Sequence, residues 1–197
     1  MTDPTLFIRA LAFAAEKHKA QRRLDAEANP YINHPIALTR VLSVEGGVTD
    51  TEVLCAALLH DTIEDTDCTA DELRQEFGAA ITAIVLEVTD DTSQPKPVRK
   101  QAQIDKAAGA STGAKLVKLA DKICNLRDVL RSPPPGWSYQ RKQDYFVWAG
   151  KVLVGLRRRR GRNPSPGIDS GGHDVRVCSL LHRGRHWQSA VWARRHR

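Results

Sequence analysis

The apolar residues of this chain recur at helical spacing, segment after segment, through residue 156, and no run alternates as a half-buried strand must. The longest such segment is residues 114–130. There Leu116, Val117, Leu119, Ala120, Ile123, Leu126, Val129 and Leu130 form one broad apolar face. Residues 5–19 repeat the pattern. Pro35 suits a first helical turn, and 36–44 continue a helix that Gly46-Gly47 ends. Asp50 can cap the next helix, which runs to His60. Thr69 to Glu72 fits a capping box opening a short helix to Phe77, with Gly78 as a break before 79–88. Residues 90–97, with two prolines, read as a loop, and 98–108 as a polar helix. Pro133-Pro134-Pro135-Gly136 stops the long helix, and 137–156 form the last. The expected class is all-α.

After Leu156 the composition changes. Residues 157–160 are four arginines, and 157–197 hold 11 arginines against two acids, a net +9. The first 156 residues hold 19 basic and 21 acidic groups, a net −2. The basic character therefore belongs to the tail, and a nucleic-acid reading applies to the tail alone. We expect residues 1–156 to be the folded domain and 157–197, rich in Arg, Gly and Pro, to be largely disordered. No run reaches the roughly 18 apolar residues of a membrane helix, and the first residues lack the apolar core of a secretion signal. Cys55, Cys68, Cys124 and Cys178 form no CxxC pair. They read as reduced thiols of an intracellular, cytoplasmic protein.

The helical part contains three histidines, His18, His34 and His60. A lone histidine on an apolar face is usually a core residue bonded to a backbone group. His60 differs, because Asp61 follows it at the end of an apolar helix. Burying an imidazole beside a carboxylate without partners is costly, and a divalent cation removes that cost. His34, at the mouth of one helix, and Asp121, on the long amphipathic helix, complete a set of two nitrogens and two oxygens. Such a set leaves positions open for water and phosphate. It suits Mn²⁺ or Fe²⁺ better than a closed zinc site. If the helix continues past Asp61, Glu64 shares its face, and Glu64 and Asp65 could orient and deprotonate a water attacking phosphorus. The bland reading of that pair is a solvated helix end.

The pattern of His34, His60-Asp61 and Asp121 resembles that of HD-domain phosphohydrolases. The flanking text is more specific. Phe13 to His18, Gln21-Arg22-Arg23, Tyr31-Ile32-Asn33-His34-Pro35, Ala56 to Thr66, Glu87 to Asp91 and Ala114 to Lys122 resemble the hydrolase half of RelA/SpoT enzymes, above all the small single-domain metazoan SpoT homologues. The resemblance implies an HD-domain bundle of about eight to ten helices and a manganese ion. It implies water attack expelling pyrophosphate from the 3′ position of guanosine tetraphosphate, a guanine alarmone of the stringent response. His34, His60, Asp61 and Asp121 match the family's metal ligands, and Glu64 and Asp65 its catalytic acids. Arg23 matches an arginine packed on the guanine, and Asn125 an asparagine near the ribose. Lys96, Arg141 and Tyr145 fall in regions lining the substrate. Two departures stand out. Leu24 replaces a lysine usual beside the arginine pair, and the closing amphipathic helix of the family is replaced by the basic tail, which reads as an alternative terminus.

Two other functions fit the same text. One is a phosphatase acting on another phosphorylated nucleotide, such as the 2′-phosphate of NADPH. The other is an inactive relative binding nucleic acid through the tail, where Trp187 and Trp192 stand among arginines. An alarmone synthetase would need a further domain for which no residues remain, so hydrolysis alone is expected.

Overall fold

The computed structural model describes residues 3–157, and the basic tail lies outside the described residues. Among them are eight α-helices and no strand: α1 (Pro4–Lys17), α2 (Asn33–Arg40), α3 (Thr51–Leu59), α4 (Thr62–Asp65), α5 (Ala70–Val88), α6 (Lys96–Ala107), α7 (Thr112–Arg131) and α8 (Tyr139–Arg157). A π-helical turn, Val41–Glu45, extends α2.

The caps explain the starts. The Asp50 carboxylate accepts from the amides of Glu52 and Val53 at 2.9 and 3.3 Å, opening α3. Thr69 caps α5 by accepting from Glu72 N at 3.1 Å. Gly78, at φ +81°, kinks α5 where the sequence places a break, because that backbone conformation costs a glycine little. Lys96, expected on a loop, opens α6 instead. Pro95 precedes it and Pro97 sits in the first turn, where an absent N–H costs no hydrogen bond.

Helix α3 decides the architecture. Every residue from Val53 to Leu59 is buried, so this stretch of the helix has no solvent face and must be enclosed. It packs against α1, α2, α5 and α7. Enclosure delivers the end of α3, His60-Asp61, to the centre of the domain. Helix α7 lies across α2, α3, α5 and α8 and brings Asp121 to the same point, while α6 and α8 pair beside it. The π turn places Glu45 against α7, where its carboxylate takes both arms of Arg127 at 2.8 and 2.7 Å.

The helix does not continue through His60-Asp61. It breaks there, Asp61 adopting φ −103°, ψ 1°, and α4 restarts at Thr62. The condition on which Glu64 would share one helical face with His60 and Asp61 is therefore not met. Thr62 Oγ1 donates to the carbonyl of Leu59 at 2.7 Å across the break. The Asp61 side chain caps nothing and is free to face the site.

Candidate functional site

His34, in the first turn of α2, and His60, after α3, are both buried, with ring centroids 5.3 Å apart. One ligating atom from each of His34, His60 and Asp121 lies within 4.8 Å of the other two. Asp61 stands outside that tight trio but joins it through His60, whose Nε2 is 2.8 Å from Asp61 Oδ2. His60 Nδ1 contacts the Ala57 carbonyl at 3.0 Å, which makes Nδ1 the protonated nitrogen and turns the lone pair of Nε2 toward the acids. Nε2 is buried and makes no hydrogen bond of acceptable geometry. Two acceptors at 2.8 Å demand a positive charge between them, either a proton or a cation. The residues thus fit a divalent ion, with imidazole nitrogens and carboxylate oxygens as donors.

The electrostatics agree. Burial holds the His34 imidazole below its usual range, favouring the neutral form that ligates. Burial would lift Asp121, but Lys122 and His34 outweigh it and hold that carboxyl well below its ordinary value. Asp61 likewise stays low against its burial, held there by His60. The pull of Asp61 raises His60 despite the burial that opposes it.

Neighbouring groups orient this set. Tyr31 donates its hydroxyl to Asp61 Oδ2 and packs against His18, ring centroids 4.7 Å apart. Lys122 holds Asp121 Oδ2 at 2.9 Å, and Asn125 donates to Asp121 Oδ1. Glu64 reaches the same cavity from α4. Its Oε2 accepts from the Asp90 amide at 2.9 Å, Arg99 Nη1 lies 3.6 Å from Oε1, and burial pushes its pKa up to about 7. Asp65 Oδ2 accepts from Gln21 at 3.0 Å.

The metal cavity, about 180 Å³, also admits Arg23, Asp90, Gln103 and Lys118 to its walls. A cleft of about 720 Å³ adjoins it and shares Arg23, Tyr31, Asp65 and Asn125 with it. All five residues expected at the substrate, Arg23, Asn125, Lys96, Arg141 and Tyr145, line this cleft. Arg23 Nη2 reaches Asp128 at 2.7 Å and Asn125 at 3.2 Å, and its guanidinium lies 5.6 Å from the Tyr31 ring centre. Arg141 stacks on Trp137 at 4.5 Å. Burial pushes the Tyr145 hydroxyl up to about 12. Leu24 lines the cleft and is exposed, adding no charge there.

Sequence reasoning assigned no role to Tyr31, Asp90, Lys118 or Lys122. Tyr31 and Lys118 sit inside the motifs that were singled out, and Lys118 is one helical turn before Asp121. Asp90 and Lys122 also sit inside such motifs, but the meeting of Asp90 with Lys118 is a long-range contact that no motif shows.

Residues 10–149 match the model of the HD domain. The chain belongs to the HD-domain family. The HD domain is found in metal-dependent hydrolases and implies a divalent cation, and the His/Asp cluster supplies a place for one. Among its relatives is a guanosine-3′,5′-bis(diphosphate) 3′-pyrophosphohydrolase of Xenopus tropicalis, 57% identical over 156 residues, covering 79% of this chain and 87% of the relative. The enzyme of the same name from Homo sapiens is 56% identical over 156 residues with the same coverage. Among solved structures, a metazoan ortholog of SpoT described as hydrolysing ppGpp superposes with a TM-score of 0.78 at 42% identity, over 93% of this HD-domain chain and 97% of the other. No helix among the described residues of the HD domain is long and apolar enough to cross a membrane.

Proposed function

We propose that this chain is a manganese-dependent guanosine-3′,5′-bis(diphosphate) 3′-pyrophosphohydrolase, converting ppGpp to GDP and pyrophosphate. The observation that carries the reading is the convergence of His34, His60 and Asp121 in one cavity with Glu64, adjoining a cleft lined with cations. Relatives that bear this activity in their names are 56–57% identical to the chain. Residues 1–156 form the catalytic unit in this reading.

His34, His60, Asp61 and Asp121 hold the cation, and manganese suits two nitrogens and two oxygens with positions left open. When bound, the ion polarises a phosphoryl oxygen and acidifies water. Glu64 takes a proton from the attacking water, and Asp65 orients it. The water oxygen bonds to phosphorus, the bond from phosphorus to the ribose 3′ oxygen breaks, and that oxygen takes a proton from solvent. Arg23 offers a planar cation for stacking on guanine. Asn125 and Tyr145 flank the ribose, and Lys96 and Arg141 meet the second diphosphate.

The test is product analysis of the full chain incubated with ppGpp, with manganese or with chelator. GDP and pyrophosphate with manganese, and none with chelator, are expected. Orthophosphate from NADPH with no turnover of ppGpp would overturn the reading in favour of the other nucleotide. RNA binding lost on deleting residues 158–197, with no hydrolysis of either nucleotide, would overturn it in favour of a binding protein.

A further inference from the structure

The metal cavity is walled by acids: Asp61, Glu64, Asp65, Asp90 and Asp121 all line it. A phosphate chain entering it carries negative charge toward negative charge, so the cavity needs a cation able to turn toward the incoming group. Three basic side chains line it, Arg23, Lys118 and Lys122. Two are committed. Arg23 is held by Asp128 at 2.7 Å and by Asn125 at 3.2 Å. Lys122 is buried, grips Asp121 at 2.9 Å and sits 4.7 Å from the Trp148 ring centre.

Lys118 is different. Its ion pair is with Asp90 Oδ1 at 3.4 Å, longer than the roughly 2.7–2.9 Å of a tight charged hydrogen bond. Its side chain is only 16% exposed, and burial, with Lys122 adding repulsion, disfavours its charge. A buried ammonium with one long contact keeps donors to offer a ligand. Its placement suits that. Lys118 stands one turn before Asp121 on α7, and its partner Asp90 gives its backbone amide to Glu64. Lys118 thus lines one cavity with the ligand set and with the carboxylate proposed to activate water.

Resting on the hydrolase reading, we propose that Lys118 is a catalytic residue, the mobile cation that binds the oxygens of the phosphoryl group under attack and of the departing pyrophosphate. No bond to Lys118 forms or breaks. It leaves Asp90 for the phosphoryl oxygens as charge shifts onto them, and returns when pyrophosphate departs.

The experiment compares Lys118→Met, Lys118→Arg and the double variant Lys118→Met/Asp90→Asn with wild type. Each is assayed for ppGpp turnover, bound manganese, melting temperature, and inorganic pyrophosphate affinity by calorimetry on the manganese-loaded protein. We expect Lys118→Met to lower kcat at least about 100-fold, the scale of losing one charged transition-state contact, with KM and bound manganese little changed. Pyrophosphate should bind about tenfold or more weakly. Lys118→Arg should recover part of both. The double variant decides against a merely structural pair. It removes the acid that the single variant leaves without a cation, with only the Gln103 amide donating to Asp90 Oδ2, so it should regain melting temperature while remaining slow and weak for pyrophosphate. Recovery of turnover in the double variant would overturn the proposal. So would wild-type pyrophosphate affinity in Lys118→Met. If wild type binds pyrophosphate but does not hydrolyse ppGpp, the hydrolase reading fails while the pyrophosphate measurement still decides the role of Lys118.

Discussion

Glu64 Oε2 accepts the backbone amide of Asp90 at 2.9 Å, which ties the candidate base on α4 to the loop between α5 and α6. This contact holds the carboxylate in the metal cavity although the helix breaks at His60-Asp61. We expect Glu64→Gln to keep its cation and lose turnover by roughly 10²–10⁴-fold, the usual contribution of a general base. Metal analysis beside steady-state kinetics checks this, and normal turnover would remove Glu64 from the role.

The same burial has a consequence for stability. Burial pushes the Glu64 pKa from its ordinary value of 4.5 up to about 7, so the folded protein binds that proton more tightly than the unfolded chain. Its stabilising contribution is present below pH 4.5 and is lost as pH rises through 7. Glu64→Gln should therefore gain on wild type between those limits in the metal-free protein, by about 1–2 kcal/mol after discounting for partial solvent screening. Denaturant melts at pH 5 and pH 8 in the presence of chelator measure it. A gap that narrows with rising pH would contradict the assignment.

Asp61→Ala should abolish bound metal and hydrolysis together, since the lone pair of His60 loses the acid it faces. Ligand binding stabilises the native state by mass action. Chelator should therefore lower the melting temperature of wild type and leave that of Asp61→Ala unchanged. Calorimetry of both proteins with and without chelator tests the pair of statements.

Arg23 is held at 2.7 Å by Asp128 in a cleft beside the metal cavity. Lysine keeps the charge and loses the planar fork. Arg23→Lys should raise KM for ppGpp by about tenfold or more, roughly 1.4 kcal/mol, with kcat less affected. An unchanged KM in the steady-state assay would place the base elsewhere.

Helices α6 and α8 meet at Gly155, where an added Cβ would lie 2.7 Å from the Ala107 Cβ. Gly155→Ala must push the two helices apart. The expected loss is about 1–3 kcal/mol, the range for overpacking, read from urea denaturation. Lys96 on α6 and Arg141 on α8 both line the cleft, so KM should rise in the same variant.

The sequence alone was enough for the helical class and the main breaks, because hydrophobic spacing, caps and glycines act over a few residues. Asp50, Thr69, Gly78 and the proline run before α8 are of that kind. It also marked His60-Asp61, because an apolar helix ending in two polar groups is a local oddity. It left open whether the helix continues from His60 to Glu64, since the break there brings Asp61 to face His60 and Tyr31, partners supplied by tertiary contact. The tertiary structure alone decided that His34, His60 and Asp121 converge and that Asp90 ties Glu64 and Lys118 together. It also showed Tyr31 donating to Asp61. The physical reason is reach. A cap or a period is set by neighbours along the chain. A ligand set depends on how a fully buried α3 forces α2 and α7 to enclose it, and no short stretch of sequence carries that geometry.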